Sequence, residues 1–136
     1  MARIMAIDYG KKRTGIAVTD PLQIIATGLT TIESHKLIPF LKEYFSREQV
    51  EKILIGMPKN WDESDTHGTE PARKAVEKIK KAFPKTPLEE VDERYTSKMA
   101  KDAIMQMGLK KKDRREKALV DEIAATIILQ EYLGIV

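Results

Sequence analysis

Arg3-Ile4-Met5-Ala6-Ile7-Asp8-Tyr9-Gly10-Lys11-Lys12-Arg13-Thr14-Gly15-Ile16-Ala17-Val18-Thr19-Asp20 opens the chain and decides how the rest is read. An apolar run, Ile4 to Ile7, ends at one carboxylate, Asp8. A basic turn follows, then a second apolar run from Ile16 to Val18. The pattern predicts two strands joined by a tight hairpin, with glycines where the backbone must bend freely. Asp8 then stands where a buried strand leaves the core. A carboxylate there must be paired, hydrogen-bonded or bound to a metal. On this stretch alone two readings stay open, a cap for the turn and a ligand.

Ile24 to Ile32, rich in Ile and Thr, continues as a third strand, and Gly28 inside it marks a bulge or a close backbone approach. Ser34 is placed to cap a helix bearing Leu37, Leu41 and Phe45 at four-residue steps. A strand from Val50 to Gly56 and a polar loop from Lys59 to Thr69 come next. A helix follows with Pro71 in its first turn and Ala72, Ala75, Val76, Ile79 and Phe83 as its buried stripe. Leu88 to Asp92 forms a fifth strand. A helix capped by Thr96 or Ser97 runs to Met107, and a last one from about Ala118 to Leu133. The order βββαβαβα, with the last helix following it, predicts an α/β fold, a five-stranded mixed sheet flanked by helices. The first three strands form an antiparallel meander, and the later ones are parallel through crossovers.

With 136 residues the chain is expected to form one domain, 1–136. It has no cysteine, and its two histidines, His35 and His67, lie in unlike contexts. Zinc chemistry is therefore disfavoured, and a metal would be a hard cation on carboxylates. The absence of a charged leader or an apolar run near the roughly 20 residues of a membrane span predicts a cytoplasmic protein with no membrane partner. The net charge of +3 is modest. Its distribution says more, because Lys110 to Lys117 sets six basic residues against two acids and is +4 by itself, leaving −1 elsewhere.

Two further carboxylates stand out. On a helical projection Val120, Ile123, Ala124, Ala125, Ile127, Ile128, Leu129 and Tyr132 sweep one arc, with Asp121 near its middle. Glu122, Thr126 and Gln130 fall on the opposite, polar side. Helix-dipole stabilisation explains an acid in a first turn but not its inward position. In Asp92-Glu93-Arg94-Tyr95-Thr96-Ser97, Glu93 shares the face of Val91 by the two-residue period. It is the better inward acid than Asp92, although a surface ion pair with Arg94 is the competing account. Asp8, Glu93 and Asp121 come from three distant elements whose ends converge in a compact sheet. Three hard oxygen donors with open positions suit Mg²⁺ or Mn²⁺ at a phosphodiester.

Four motifs in order then resemble the YqgF family. These Holliday-junction-resolvase-like proteins have an RNase H-like fold and are provisionally assigned as pre-16S rRNA nucleases. The motifs are Asp8 to Asp20; Gly56-Met57-Pro58 with Asn60; Asp92 to Ser97; and Lys117 to Asp121 with Ala124, Ala125, Ile128 and Leu129. The resemblance implies that Asp8, Glu93 and Asp121 are the catalytic, metal-binding set. It also implies an endonuclease that matures the 5′ end of small-subunit ribosomal RNA, in contact with ribosomal precursor particles. The chain departs from the family at Met57 and Ser97, and at Trp61 to Gly68, where the family's Asp-Gly pair is broken up.

Around that set, Arg13, Asn60 and Arg94 are candidates for contact with nucleic acid. Lys110, Lys111, Lys112, Arg114, Arg115 and Lys117 read as a mobile basic flap that gathers phosphates. Structured RNA is the expected substrate. Branched DNA, cut as a Holliday junction, and a non-catalytic nucleic-acid or ribosome-binding role are the alternatives. The sequence does not specify an oligomeric state. An actin-like ATPase opens with a similar hairpin, but one short domain cannot enclose a nucleotide between two lobes.

Overall fold

The apolar alternation of the opening stretch is realised as β1 (Arg3–Tyr9) and β2 (Arg13–Thr19), paired antiparallel with Asp8 opposite Gly15. The computed structural model describes residues 2–57, 69–92 and 115–134, with backbone only at 69, 92 and 115–119. β3 (Ala26–Glu33) completes the meander against β2. A 3-10 turn at Ser34–Lys36 leads into α1 (Leu37–Arg47). Next come β4 (Val50–Met57), α2 (Thr69–Ala82), β5 (Leu88–Asp92) and α3 (Arg115–Leu133). The sheet order is β3-β2-β1-β4-β5, with β4 parallel to β1 and β5 parallel to β4. This is the mixed sheet with flanking helices that the pattern predicts; the helix expected from Thr96 or Ser97 to Met107 lies outside the described residues.

Strand alternation divides the core between two faces. Met5, Ile7, Ile16, Val18, Ile53 and Ile55 meet Leu37, Leu41 and Tyr44 of α1 and Ala72, Ala75, Val76 and Ile79 of α2. On the other face Ile4, Ala6, Ala17 and Leu54 pack against Ala125, Ile128 and Leu129 of α3. The alanines on both sides of that second contact bring the helix close to the sheet. Among the described residues no helix is long and apolar enough to cross a membrane.

Several local expectations are corrected. β3 begins at Ala26, and Ile24 and Ile25 are exposed in the preceding turn. Asp20 Oδ1 accepts both of their backbone N–H groups at 2.7 Å, so a side chain has captured donors that a longer strand would need. Ser34 does not cap a helix. Its Oγ donates to the Gly10 carbonyl and accepts from Thr14 Oγ1 at 2.8 Å, which ties the hairpin turn down. α3 starts at Arg115, ahead of Ala118, because Arg115, Glu116 and Lys117 are good helix formers that extend it backwards. Arg115 and Lys117 therefore belong to a helix and not to a flap. Tyr132 is exposed, its hydroxyl accepting from Lys52 Nζ at 2.9 Å. The bulge expected at Gly28 is present. Ile16 pairs with Thr30 and the next residue, Ala17, with Gly28, which leaves Leu29 as the extra residue.

Candidate active site

Asp8 lies near the C-terminal end of β1, and by alternation its side chain takes the α3 face, two residues beyond Ala6. Its neighbours in the sheet are Gly15 on β2 and Gly56 on β4. Neither carries a side chain, so no side chain of an adjacent strand stands directly beside the carboxylate. Asp8 is nonetheless only 8% exposed, because α3 closes over it.

Gly15 sets how closely. A Cβ built there would stand 2.0 Å from the carbonyl oxygen of Asp121 and 2.8 Å from the Glu122 nitrogen. The helix backbone therefore rests on β2 at a point that only glycine leaves open. This contact brings Asp121 to the row that holds Asp8. Arg13, on the same face of β2, donates from Nε to Asp121 Oδ2 at 3.1 Å. Burial pushes the Asp121 carboxyl above its ordinary range, the nearby charge of Asp8 pushes it further, and Arg13 partly opposes both.

The structure thus brings together three residues singled out from sequence, Asp8, Arg13 and Asp121. Asn60, Glu93, Arg94, Lys110, Lys111, Lys112 and Arg114 lie outside the described residues. The same holds for the side chains of Arg115 and Lys117, whose backbone forms the first turn of α3. Among the described residues no group of three His, Cys, Asp or Glu side chains is arranged to hold a metal. The pair Asp8 and Asp121 is two-thirds of the expected set. It fits a hard divalent cation, since the two carboxylates supply hard oxygen donors and Asp8 and a single arginine are the charges felt by Asp121.

The seat of the helix is not legible in the sequence. Gly15 stands in the opening motif, and a glycine inside a strand is itself a signal of close approach, but no local pattern indicates what approaches. The helical projection places Glu122 on the polar side. In the structure Glu122 is half-buried over β3, where a Cβ on Gly28 would meet its side chain at 2.5 Å. The sheet beneath α3 is wider than one helical face, so Asp121 and Glu122 both look down, onto β2 and β3 respectively.

A protein of Flavobacterium psychrophilum, provisionally named a pre-16S rRNA nuclease, is 58% identical over 133 residues, covering 98% of this chain and 97% of its own. A Bacteroides thetaiotaomicron protein with the same name is 54% identical, covering 98% and 96%. Thermus thermophilus RuvC, solved in complex with a Holliday junction substrate, aligns with a TM-score of 0.54 at 18% identity. That alignment covers 98% of this chain and 97% of RuvC. At that identity the likeness speaks for the fold, which is RNase H-like. The family model of RuvX, described as Holliday junction resolvase, matches residues 2–134. Over nearly its whole length, residues 2–134, the chain belongs to the RuvX family.

Proposed function

We propose that this protein is a metal-dependent endonuclease that hydrolyses phosphodiesters of structured RNA at the 5′ end of pre-16S rRNA. The observation that carries the reading is the meeting of Asp8 and Asp121 across Gly15 at one end of the sheet. The names of the relatives supply the substrate class. Asp8, Asp121 and Glu93 would hold Mg²⁺ or Mn²⁺. Glu93 follows Val91 by two residues, and Val91 pairs with Gly56 beside Asp8, which favours it as the third donor. When bound, such an ion supplies an activated water and charge stabilisation at the phosphorus.

The chain's own groups do the positioning. Arg13 holds Asp121 and partly offsets the charge of Asp8. Gly56, beside Asp8 on β4, puts no side chain of its own between a phosphate and the carboxylate. Asn60, Arg94 and the basic residues of 110–117 (Lys110, Lys111, Lys112, Arg114, Arg115 and Lys117) bind the RNA backbone. The whole chain, 1–136, acts as one domain in the cytoplasm, on free precursor RNA or ribosomal precursor particles. A second reading, cleavage of four-way DNA junctions, rests on the description of the family model.

The test compares a pre-16S rRNA leader and a four-way DNA junction under one Mg²⁺ titration. Metal-dependent cutting of the leader, abolished in Asp8→Asn with RNA binding retained, is the expected result. Cutting of the junction alone would transfer the assignment to branched DNA. Absence of cutting on both, with binding intact, would leave a non-catalytic binding factor.

A further inference from the structure

At the same end of the sheet as Asp8, but on its opposite face, a groove opens between the hairpin turn, the 3-10 turn, α1 and α2. Tyr9 follows Asp8 in the chain and, by strand alternation, turns its ring to this side, where it packs against the α1/α2 core. Leu37 and Ile38 form an apolar floor, and Lys11 and Lys78 stand at the rim. The cavity is about 210 Å³, below the roughly 300–1,000 Å³ of sites that enclose a whole small molecule. It suits one part of a longer ligand.

Three features give it the character of a built site. The turn carrying Lys11 is fixed, because Ser34 Oγ donates to the Gly10 carbonyl and Ser34 N to the Lys12 carbonyl at 3.0 Å. Among the described residues Lys11 and Lys78 are in no ion pair, whereas the nearby His35 and Lys36 both lie against Glu33, at 3.3 and 3.8 Å. The hydroxyl of Tyr9 has no partner among the described residues. An aromatic ring beside an apolar floor, rimmed by two uncompensated lysines, offers a base a stacking surface and its phosphates two cations.

We infer that this groove binds a single-stranded nucleotide of the RNA neighbouring the one that is cut. The strand passes over the C-terminal edge of β1, from Asp8 on one face to Tyr9 on the other. The inference rests on the reading of the protein as an RNA nuclease and adds a subsite to it. Such a subsite selects substrates with an unpaired nucleotide beside the cleavage point, since a base held in a duplex cannot enter the groove.

The experiment measures binding of a labelled single-stranded RNA by fluorescence anisotropy, in EDTA so that no cleavage intervenes. The double variant Lys11→Glu/Lys78→Glu is compared with Lys81→Glu/Lys85→Glu, which makes the same charge change at exposed positions near the far end of α2. The groove variant is expected to bind about tenfold or more weakly than its control. Its dependence of log affinity on log salt should fall by about 1.4, at roughly 0.7 for each phosphate that a lysine no longer neutralises. A 4-thiouridine RNA should photocross-link to the peptide containing Tyr9. Equal losses in the two double variants would overturn the inference, leaving only non-specific attraction. So would a loss confined to junction DNA. If wild type fails to bind the single-stranded probe but binds the pre-16S leader, the subsite alone falls; if it binds and cuts neither RNA in Mg²⁺, the nuclease reading falls and the subsite with it.

Discussion

Replacing Gly15 by alanine tests the geometry on which the site depends. The added methyl would meet the Asp121 carbonyl oxygen at 2.0 Å and its carbon at 2.2 Å, both backbone atoms of a helix that cannot flex aside. To restore ordinary contact at about 3.4 Å, α3 must retreat by about 1.4 Å. Overpacking of this kind costs about 3 kcal/mol. The better strand propensity of alanine returns roughly 0.5 kcal/mol, leaving a net loss of about 2–3 kcal/mol. For 136 residues each kcal/mol is worth about 3–4 °C, so the melting temperature should fall by about 7–10 °C. Asp121 moves with the helix, which takes it from Asp8 and stretches its 3.1 Å bond to Arg13 beyond hydrogen-bonding distance. A displacement near 1 Å at reacting groups costs on the order of 100-fold in rate. Thermal melts followed by circular dichroism, with single-turnover cleavage of the leader RNA, read both effects. Gly28→Ala is the control, because the atoms nearest its methyl belong to the flexible side chain of Glu122 and not to a backbone, and it should shift the melting temperature by less than about 3 °C. If Gly15→Ala melts and cleaves like Gly28→Ala, α3 does not depend on this seat and the reasoning fails.

Other outcomes follow from the same contacts. The Asp121 carboxyl is raised above its ordinary value of 3.8, so its ionisation opposes folding above that value and the penalty is relieved as pH falls through the folded value. Asp121→Asn in EDTA should therefore melt higher than wild type at pH 7, with the gain vanishing below about pH 4 and no added stabilisation by Mg²⁺. Arg13→Ala removes a charge-assisted bond at a side chain 40% exposed, so its cost to stability should stay near 1 kcal/mol. Cleavage should fall much further than stability, and Arg13→Lys should recover only part of it. Ser34→Ala leaves the fully buried Thr14 hydroxyl without its 2.8 Å partner. Urea titration should register a loss of about 1–3 kcal/mol, and amide exchange should quicken through the hairpin turn 10–12.

Residues whose roles follow from period and chemistry were legible. Two-residue alternation put Asp8 at the end of a buried strand. The helical projection put Asp121 among apolar neighbours, and both face the same interface. Contacts between distant segments were not legible. Arg13 and Asp121 are 108 positions apart, and no local pattern joins them. Ser34 has the composition of a cap, but a carbonyl and a hydroxyl from the first hairpin offer its oxygen better partners. Ile24 and Ile25 have strand propensity, which Asp20 overrides by taking their amides.

By itself the sequence determined the order of elements, the mixed sheet and the inward carboxylates, because side-chain polarity and backbone periodicity act within one element. Only the tertiary structure decided that Gly15 is the seat of α3, that Arg13 holds Asp121, and that Glu122 turns inward over Gly28. Those facts depend on the distance between a helix and a sheet. That distance is set where glycines remove side chains from one surface and alanines shorten them on the other.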